Sequence, residues 1–192
     1  MYSAMLNLKG CQITIIGGGK VAYRKAALLI EEECEIKMIA PSFIEAFKVL
    51  GKSVHKVYKA YEEGDCAGST LVFAATDDPL LNQQIGQYCK QAHIFCNVAD
   101  NKELSTFFTP AQFKRGDLVI SVSTGGNSPS LAAKIKEDLA SHYGEVYEGH
   151  LKLLGELREK VLTTETDEAK KKEILNHIAT LSLEELKEYA KR

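Results

Sequence analysis

The run Gln12 to Ala22, QITIIGGGKVA, decides how this chain is read. An isoleucine-rich segment, Gln12 to Ile16, passes directly into Gly17-Gly18-Gly19 and then into a helical pattern. Read as Gly17-x-Gly19-x-x-Ala22, the bend matches the dinucleotide fingerprint in its GxGxxA form. Gly17 permits the tight turn, Gly19 removes a side chain where a pyrophosphate must approach, and Ala22 lets the helix pack closely on the strand. The helix N-terminus then offers unpaired N–H groups and partial positive charge to phosphates. Gly17, Gly18, Gly19, Lys20, Val21 and Ala22 are therefore the first expected cofactor-binding residues. A glycine turn with no ligand is the competing reading. The strand–loop–helix context weighs against it.

Working outward, the first half alternates short β-rich runs with helical patterns, the order of a parallel sheet flanked by helices. A helix is expected over Val21 to Glu32, with Ala22, Ala26, Leu29 and Ile30 on one face. Strands follow at Glu35 to Ala40, Val54 to Tyr58, Thr70 to Ala75 and Ile94 to Val98, with helices from Ile44 to Leu50 and from Pro79 onward. After about residue 105 two strands are expected, at Phe107-Phe108 and Leu118 to Val122, bridged by the turn-prone Lys114-Arg115-Gly116-Asp117. The glycine-rich bend Thr124 to Pro129 leads into a helix from Ser130 to Tyr143, and the charged, glycine-poor remainder reads as helical. The expected fold is α/β: a Rossmann-type parallel sheet (1–105), a small α+β dimerisation unit (106–145) and a helical C-terminal tail (146–192).

Composition narrows the function classes. The 192 residues carry a formal net charge of -2, with no positive excess to grip nucleic acid. No apolar run approaches the roughly 20 residues that span a bilayer, and the N-terminus lacks a secretory pattern, so no membrane partner and a cytoplasmic location are expected. The five cysteines, Cys11, Cys34, Cys66, Cys89 and Cys96, are dispersed. They suit a reducing compartment, offer no zinc spacing and read as small core hydrophobes. No metal site is expected.

In such sheets, ligands lie beyond the carboxyl ends of the strands. Enzymes using NAD usually hold the ribose with an acid at the end of the second strand. Here that place reads Ala40-Pro41-Ser42, with Glu35 too early and Lys37 more suited to a strand edge. Ala40 and Pro41 line the expected site, Ser42 offers a weaker contact, and the choice between NAD and NADP stays open. Thr76 should line the crevice after the fourth strand. Asp77 and Asp78 suit capping of the helix at Pro79, Asp78 above all. After the fifth strand, Asn97 faces the same crevice. Asp100 admits two readings, a carboxylate aimed into the cleft or a turn residue bonding its own backbone.

Five blocks in order, GGGKVAYRK (Gly17 to Lys25), FAATDD (Phe73 to Asp78), NVAD (Asn97 to Asp100), FFTPA (Phe107 to Ala111) and SVSTGGNSP (Ser121 to Pro129), resemble precorrin-2 dehydrogenase, the module that also forms the N-terminal part of siroheme synthases. The resemblance runs from about residue 5 to residue 145, and the missing second-strand acid belongs to it. It implies NAD-dependent oxidation of precorrin-2 to sirohydrochlorin, Asp100 as the catalytic carboxylate, and a homodimer formed through the part from Phe107 to Tyr143. A polycarboxylate substrate needs cations, for which Arg24 and Lys25 are the first candidates and Lys102, Lys114, Arg115 and Lys134 the others. Ser123 and Thr124 are the candidate substrate hydroxyls, with Ser121 beside them, while Ser128 suits helix capping. Two alternatives stand beside this reading. A bifunctional enzyme would also insert ferrous iron, with His93 assisting Asp100; a non-catalytic module would only sense NAD(H).

Overall fold

The computed structural model describes residues 1–191. The chain divides into two compact units, Met1–Phe108 and Thr109–Arg192. The first is a five-stranded, wholly parallel sheet made of β1 (Gln12–Ile16), β2 (Glu35–Ala40), β3 (Val54–Tyr58), β4 (Leu71–Ala74) and β5 (Phe95–Val98), in the order β3-β2-β1-β4-β5. Helix α1 (Lys20–Leu29) joins β1 to β2, and α2 (Pro79–Gln91) joins β4 to β5. The chain runs out from β1 to β3 on one side, then returns to β4 on the other. The reversal lies between β1 and β4, where open α/β sheets form their ligand crevice.

Successive strand residues point to opposite faces; both faces of the central strands β1 and β4 are covered, so these two read as apolar runs, while β3 at the edge carries His55 and Lys56. Ile13, Ile15, Met38 and Phe73 pack on the α1 face with Ala22, Ala26 and Leu29. Ile16, Ile39, Val72 and Ala74 pack on the other face with Ile85, Cys89 and Cys96. Cys66, Cys89 and Cys96 are fully buried, as small core hydrophobes should be. Hydrogen bonding to Cys89 together with burial drives the Cys66 thiol far above its ordinary range, so it stays protonated and inert.

Two expectations about elements are corrected. The helix expected from Ile44 to Leu50 is instead two short 3-10 turns, Glu45–Lys48 and Gly51–Ser53. The segment is too short to pay for helix nucleation, has no side-chain cap, and meets Gly51 at φ +55. Phe47 anchors it, fully buried between Tyr23 and Phe43 in edge-to-face contacts.

The second correction concerns Phe107-Phe108, which form no strand. The strand preceding Leu118 is β6 (Ala111–Arg115), beyond Pro110, and it pairs antiparallel with β7 (Leu118–Val122). Lys114 and Arg115 belong to β6, so the turn is only Gly116-Asp117, a two-residue hairpin loop with Gly116 at φ +56. Residues 105–107 instead seal the edge of β5. Thr106 bonds both backbone groups of Cys96, with its N–H to the carbonyl and its Oγ accepting from the N–H, each at 2.8 Å, and Ser105 Oγ accepts from Val98 N–H at 2.9 Å. Hydroxyls thus replace a sixth strand and leave β5 without an exposed ladder.

The second unit holds the β6–β7 hairpin and four helices, α3 (Pro129–His142), α4 (Val146–Thr164), α5 (Glu168–Ile178) and α6 (Leu183–Ala190). Ser128 caps α3 by accepting from Leu131 N–H, as its place before Pro129 led us to expect. The last three helices share a small core of Leu157, Ile178 and Leu186. Among the described residues, no helix is long and apolar enough to cross a membrane.

Candidate active site

The carboxyl ends of the strands bring most of the expected residues to one edge of the sheet. The bend after β1 is locked to β2 and to the loop that follows it. Gly17 N–H donates to Ile39 O at 2.9 Å, and Gly18 O accepts from Ile44 N–H at 2.9 Å. The three glycines serve three different ends. Gly17 sits at φ +130, and a Cβ there would lie 2.2 Å from Ala75 O. Gly18, the variable position of the fingerprint, is equally constrained, since its Cβ would fall 1.8 Å from Ser42 O and 3.1 Å from Ala40 Cβ. The fingerprint gives no reason for a glycine there; only the packing of the loop after β2 does. A Cβ on Gly19 would meet nothing within 4 Å beyond its chain neighbours, and the backbone there is extended, as any residue could adopt.

Gly19 is also the N-cap of α1, with no side-chain cap and no acid in the first turn. The N–H groups of the first turn, which carries Lys20, Val21 and Ala22, are left without a side-chain acceptor, and an open approach lies in front of Gly19. That is what a pyrophosphate needs. The residues present therefore fit a dinucleotide. Ala22 is fully buried, in keeping with close helix–strand packing. Beside the bend, Ala40 is buried while Pro41 and Ser42 are exposed. Glu35 pairs with Gln12 at the opposite end of the strands and cannot hold the ribose. Lys37 donates to Asp65 O at 3.0 Å, closing the turn ahead of β4.

After β4, Asp78 accepts from Leu80 and Leu81 N–H and caps α2, with Pro79 at the first helical position. Asp77 is exposed. Thr76 stands at the crevice, but its polar atoms turn inward to Asn82, a buried side chain that nothing in the fingerprint singles out. Asn97 is buried, and its amide donates to Phe107 O at 3.1 Å, tying down the segment along β5. The ring of Phe107 rests edge-on against Phe73, and the Lys25 ammonium lies 5.4 Å from the centre of the Phe73 ring. Burial, assisted by neighbouring Arg24, holds the Lys25 pKa below the usual lysine range. Lys25 thus faces the sheet with Ala22 and Ala26, whereas Arg24 is exposed.

Asp100 is exposed just beyond β5. The turn it belongs to is held by its neighbour: Asn101 Oδ1 accepts from Glu103 N–H at 3.0 Å and Leu104 N–H at 3.1 Å. Ala99 N–H donates to Ala74 O at 2.9 Å, which extends the sheet register to the residue before Asp100. Of the two readings that the residues left open, the backbone-bonding role falls to Asn101. His93 does not join Asp100. It closes α2 in the left-handed conformation at φ +56, and the whole of β5 lies between the two.

Ser123 and Thr124 belong to the second unit, where both hydroxyls shape the glycine-rich bend. Ser123 Oγ accepts from Gly125 N–H at 3.2 Å, and Thr124 Oγ bonds both backbone groups of Ser128. Arg115 is engaged there too, donating to Lys114 O and lying over the Phe113 ring, with Glu145 beside its Nε. Ser121, Lys102 and Lys134 are exposed and Lys114 is half-buried. Among the described residues, no cluster of three or more His, Cys, Asp or Glu side chains could hold a metal ion.

This geometry can be set beside known proteins. Residues 4–111 match the family described as putative NAD(P)-binding, and residues 115–142 match the central part of sirohaem biosynthesis proteins. Over 181 residues the chain is 33% identical to a precorrin-2 dehydrogenase from Priestia megaterium, covering 93% of this chain and 89% of that protein. This chain belongs to the precorrin-2 dehydrogenase family. A solved structure described as SirC, precorrin-2 dehydrogenase, superposes with a TM-score of 0.83 at 30% identity, covering 100% of this chain and 98% of that one. Siroheme synthases from Pseudomonas fluorescens and Citrobacter koseri are 36% and 39% identical over 146 residues, and the chain spans about a third of their length, 32% in each case.

Proposed function

We propose that this chain oxidises precorrin-2 to sirohydrochlorin with NAD as the hydride acceptor. The observation that carries the reading is the exposed Asp100 carboxylate at the end of β5, relieved of turn duty by Asn101, on the same sheet edge as an uncapped, open glycine bend. The close similarity over nearly the whole chain to a protein named precorrin-2 dehydrogenase supports the choice of substrate.

Bound NAD would accept a hydride from a saturated ring carbon, and the accompanying proton leaves as the conjugation extends, so precorrin-2 and NAD give sirohydrochlorin, NADH and a proton. The bend and the first turn of α1 hold the pyrophosphate by backbone N–H groups. Gly17, Gly18, Gly19, Lys20, Val21, Ala22, Ala40, Pro41, Thr76 and Asn97 make up the cofactor side, several of them by shaping the loops and not by direct polar contact. Asp100 accepts the proton or orients a pyrrole nitrogen. Arg24 and Lys25 are the candidate substrate cations of the first unit, Arg24 the exposed one, and Ser123 and Thr124 are the candidate substrate hydroxyls of the second. Residues 106–145 are the proposed dimerisation unit and 146–192 the helical C-terminal domain, the two making up nearly all of the second compact unit.

The test is anaerobic incubation of the purified chain with precorrin-2 and NAD, following NADH at 340 nm and the sirohydrochlorin spectrum. Asp100→Ala should lower turnover by at least a hundredfold, the range expected for one general acid–base group, while NADH binding followed by fluorescence stays within threefold. Undiminished turnover in that variant would show Asp100 to be a turn residue after all.

A further inference from the structure

Asn82 is a polar side chain in an apolar place. It is only 1% exposed, on the face of α2 that packs against the sheet beside Ile85 and Cys89. A buried amide is costly unless bonded, and every bond it makes goes to one residue. Its Oδ1 accepts from Thr76 N–H at 3.0 Å and from the Thr76 hydroxyl at 2.8 Å, and its Nδ2 donates to Thr76 O at 3.2 Å. The same hydroxyl accepts from Asp78 N–H at 3.2 Å. Thr76 therefore has its N–H, its carbonyl and its hydroxyl all occupied, and little polar capacity is left to offer a ligand.

The peptide clamped in this way is the one on which the glycine bend rests. A Cβ on Gly17 would stand 2.2 Å from Ala75 O and 3.3 Å from Thr76 N. The Gly17 backbone is thus in close contact with the Ala75–Thr76 peptide, whose plane Asn82 sets from below. Asn82 is itself fixed in the first turn of α2, its own N–H donating to Asp78 O at 3.0 Å. An apolar residue at this position would fill the space but let the peptide rotate and the bend drift.

We propose that Asn82 is a positioning residue for the dinucleotide site: it fixes the Ala75–Thr76 peptide against Gly17 and so holds the bend in its phosphate-binding shape. This rests on the reading of the bend as the NAD site. Thr76 then serves cofactor binding through its backbone placement and its methyl group, not as a hydrogen-bonding ligand.

The experiment measures steady-state kinetics and NADH fluorescence titrations on the full chain for wild type, Asn82→Ala and Asn82→Asp. Ser69→Ala serves as the control, because it removes a buried hydroxyl pair (2.7 Å) between the loop before β4 and Thr14 of β1, away from the bend. The expected result is a KM for NAD raised at least tenfold in both Asn82 variants, with NADH affinity lowered to match. kcat at saturating NAD and KM for precorrin-2 should stay within threefold, and the control should keep the wild-type KM for NAD. Should neither Asn82 variant fold, Thr76→Val, which removes the hydroxyl's bond to Asn82 together with its contacts to Asp78 at nearly constant volume, must show the same rise in smaller measure. A wild-type KM for NAD in these variants, or a fall in kcat at unchanged KM, overturns the positioning role. A wild-type chain that neither binds NADH nor reduces NAD would overturn the functional reading itself.

Discussion

Two adjacent glycines that look alike in the sequence should fail in opposite ways when given a methyl group. In Gly18→Ala the new Cβ would lie 1.8 Å from Ser42 O and 2.9 Å from Ser42 C, backbone atoms with no flexible end to swing aside. Ordinary contact begins near 3.4 Å, so the loop after β2 must retreat by about 1.6 Å. That movement strains the core entry at about 1–3 kcal/mol. It also breaks the Ile44 N–H bond to Gly18 O, for about 1 kcal/mol more. A chain of this size loses roughly 2–4 °C of Tm per kcal/mol, so a fall of about 10 °C is expected. In Gly19→Ala the Cβ meets nothing within 4 Å, and the extended backbone suits any residue. The poorer N-cap is offset by the less flexible unfolded chain, each worth about 0.5–1 kcal/mol, so Tm should stay within about 2 °C. The methyl instead occupies the pyrophosphate's approach, and NADH affinity should drop at least tenfold, or about 1.4 kcal/mol. Circular dichroism melts and NADH fluorescence titrations on the two variants decide the matter. If Gly18→Ala melts like wild type, or Gly19→Ala binds NADH like wild type, the division of labour within the bend is wrong.

Asp65 is held below the usual carboxylate range: burial pushes the other way, but the Glu62 N–H and the Lys59 ammonium outweigh it. A depressed carboxylate stabilises the fold above its unfolded pKa, and that contribution is lost as pH falls through the folded one. The Tm advantage of wild type over Asp65→Asn should therefore be present at pH 7 and shrink once pH drops below about 4; a gap that does not change with pH refutes it. Asp78→Ala removes the cap of α2 and should cost about 1 kcal/mol, read as a lower urea midpoint at unchanged slope. The β6–β7 hairpin pairs Phe113 with Ile120 and Ala111 with Val122, yet leaves them only half-buried, and a lone two-stranded sheet is marginal in water. Light scattering should give a dimer mass for wild type and a monomer for Ile120→Asp. A monomeric wild type defeats the dimer proposal.

Much of the fold could be read directly from the chain, because its strands are buried on both faces and so appear as unbroken apolar runs ending in glycine or proline. Ile13 to Ile16, which ends in Gly17, and Leu71 to Ala75 come nearest to such runs, while Glu35 to Ala40 carries Glu35 and Lys37 before it ends at Pro41. Segments whose structure depends on distant partners were harder. Ile44 to Leu50 has helical periodicity but is shaped by Phe47 docking between Tyr23 and Phe43. Phe107 has strand propensity but is taken up by the Asn97 amide and the Phe73 ring.

The same divide runs through the site. The glycine bend, the capping role of Asp78 and the exposed acid after β5 follow from local chemistry, since a positive φ, a helix N-terminus and a strand end each restrict a residue within a few positions of itself. The need for glycine at position 18 and the inward turn of Lys25 depend on contacts with Ser42 and Phe73, far away in the chain. The bonds between Thr76 and Asn82 span only six residues, but they form only once the chain turns from β4 into α2. Local patterns carry information about backbone shape. Which backbone carbonyl a methyl would strike is decided only once the loops after β1, β2 and β4 have been brought together by the packed sheet.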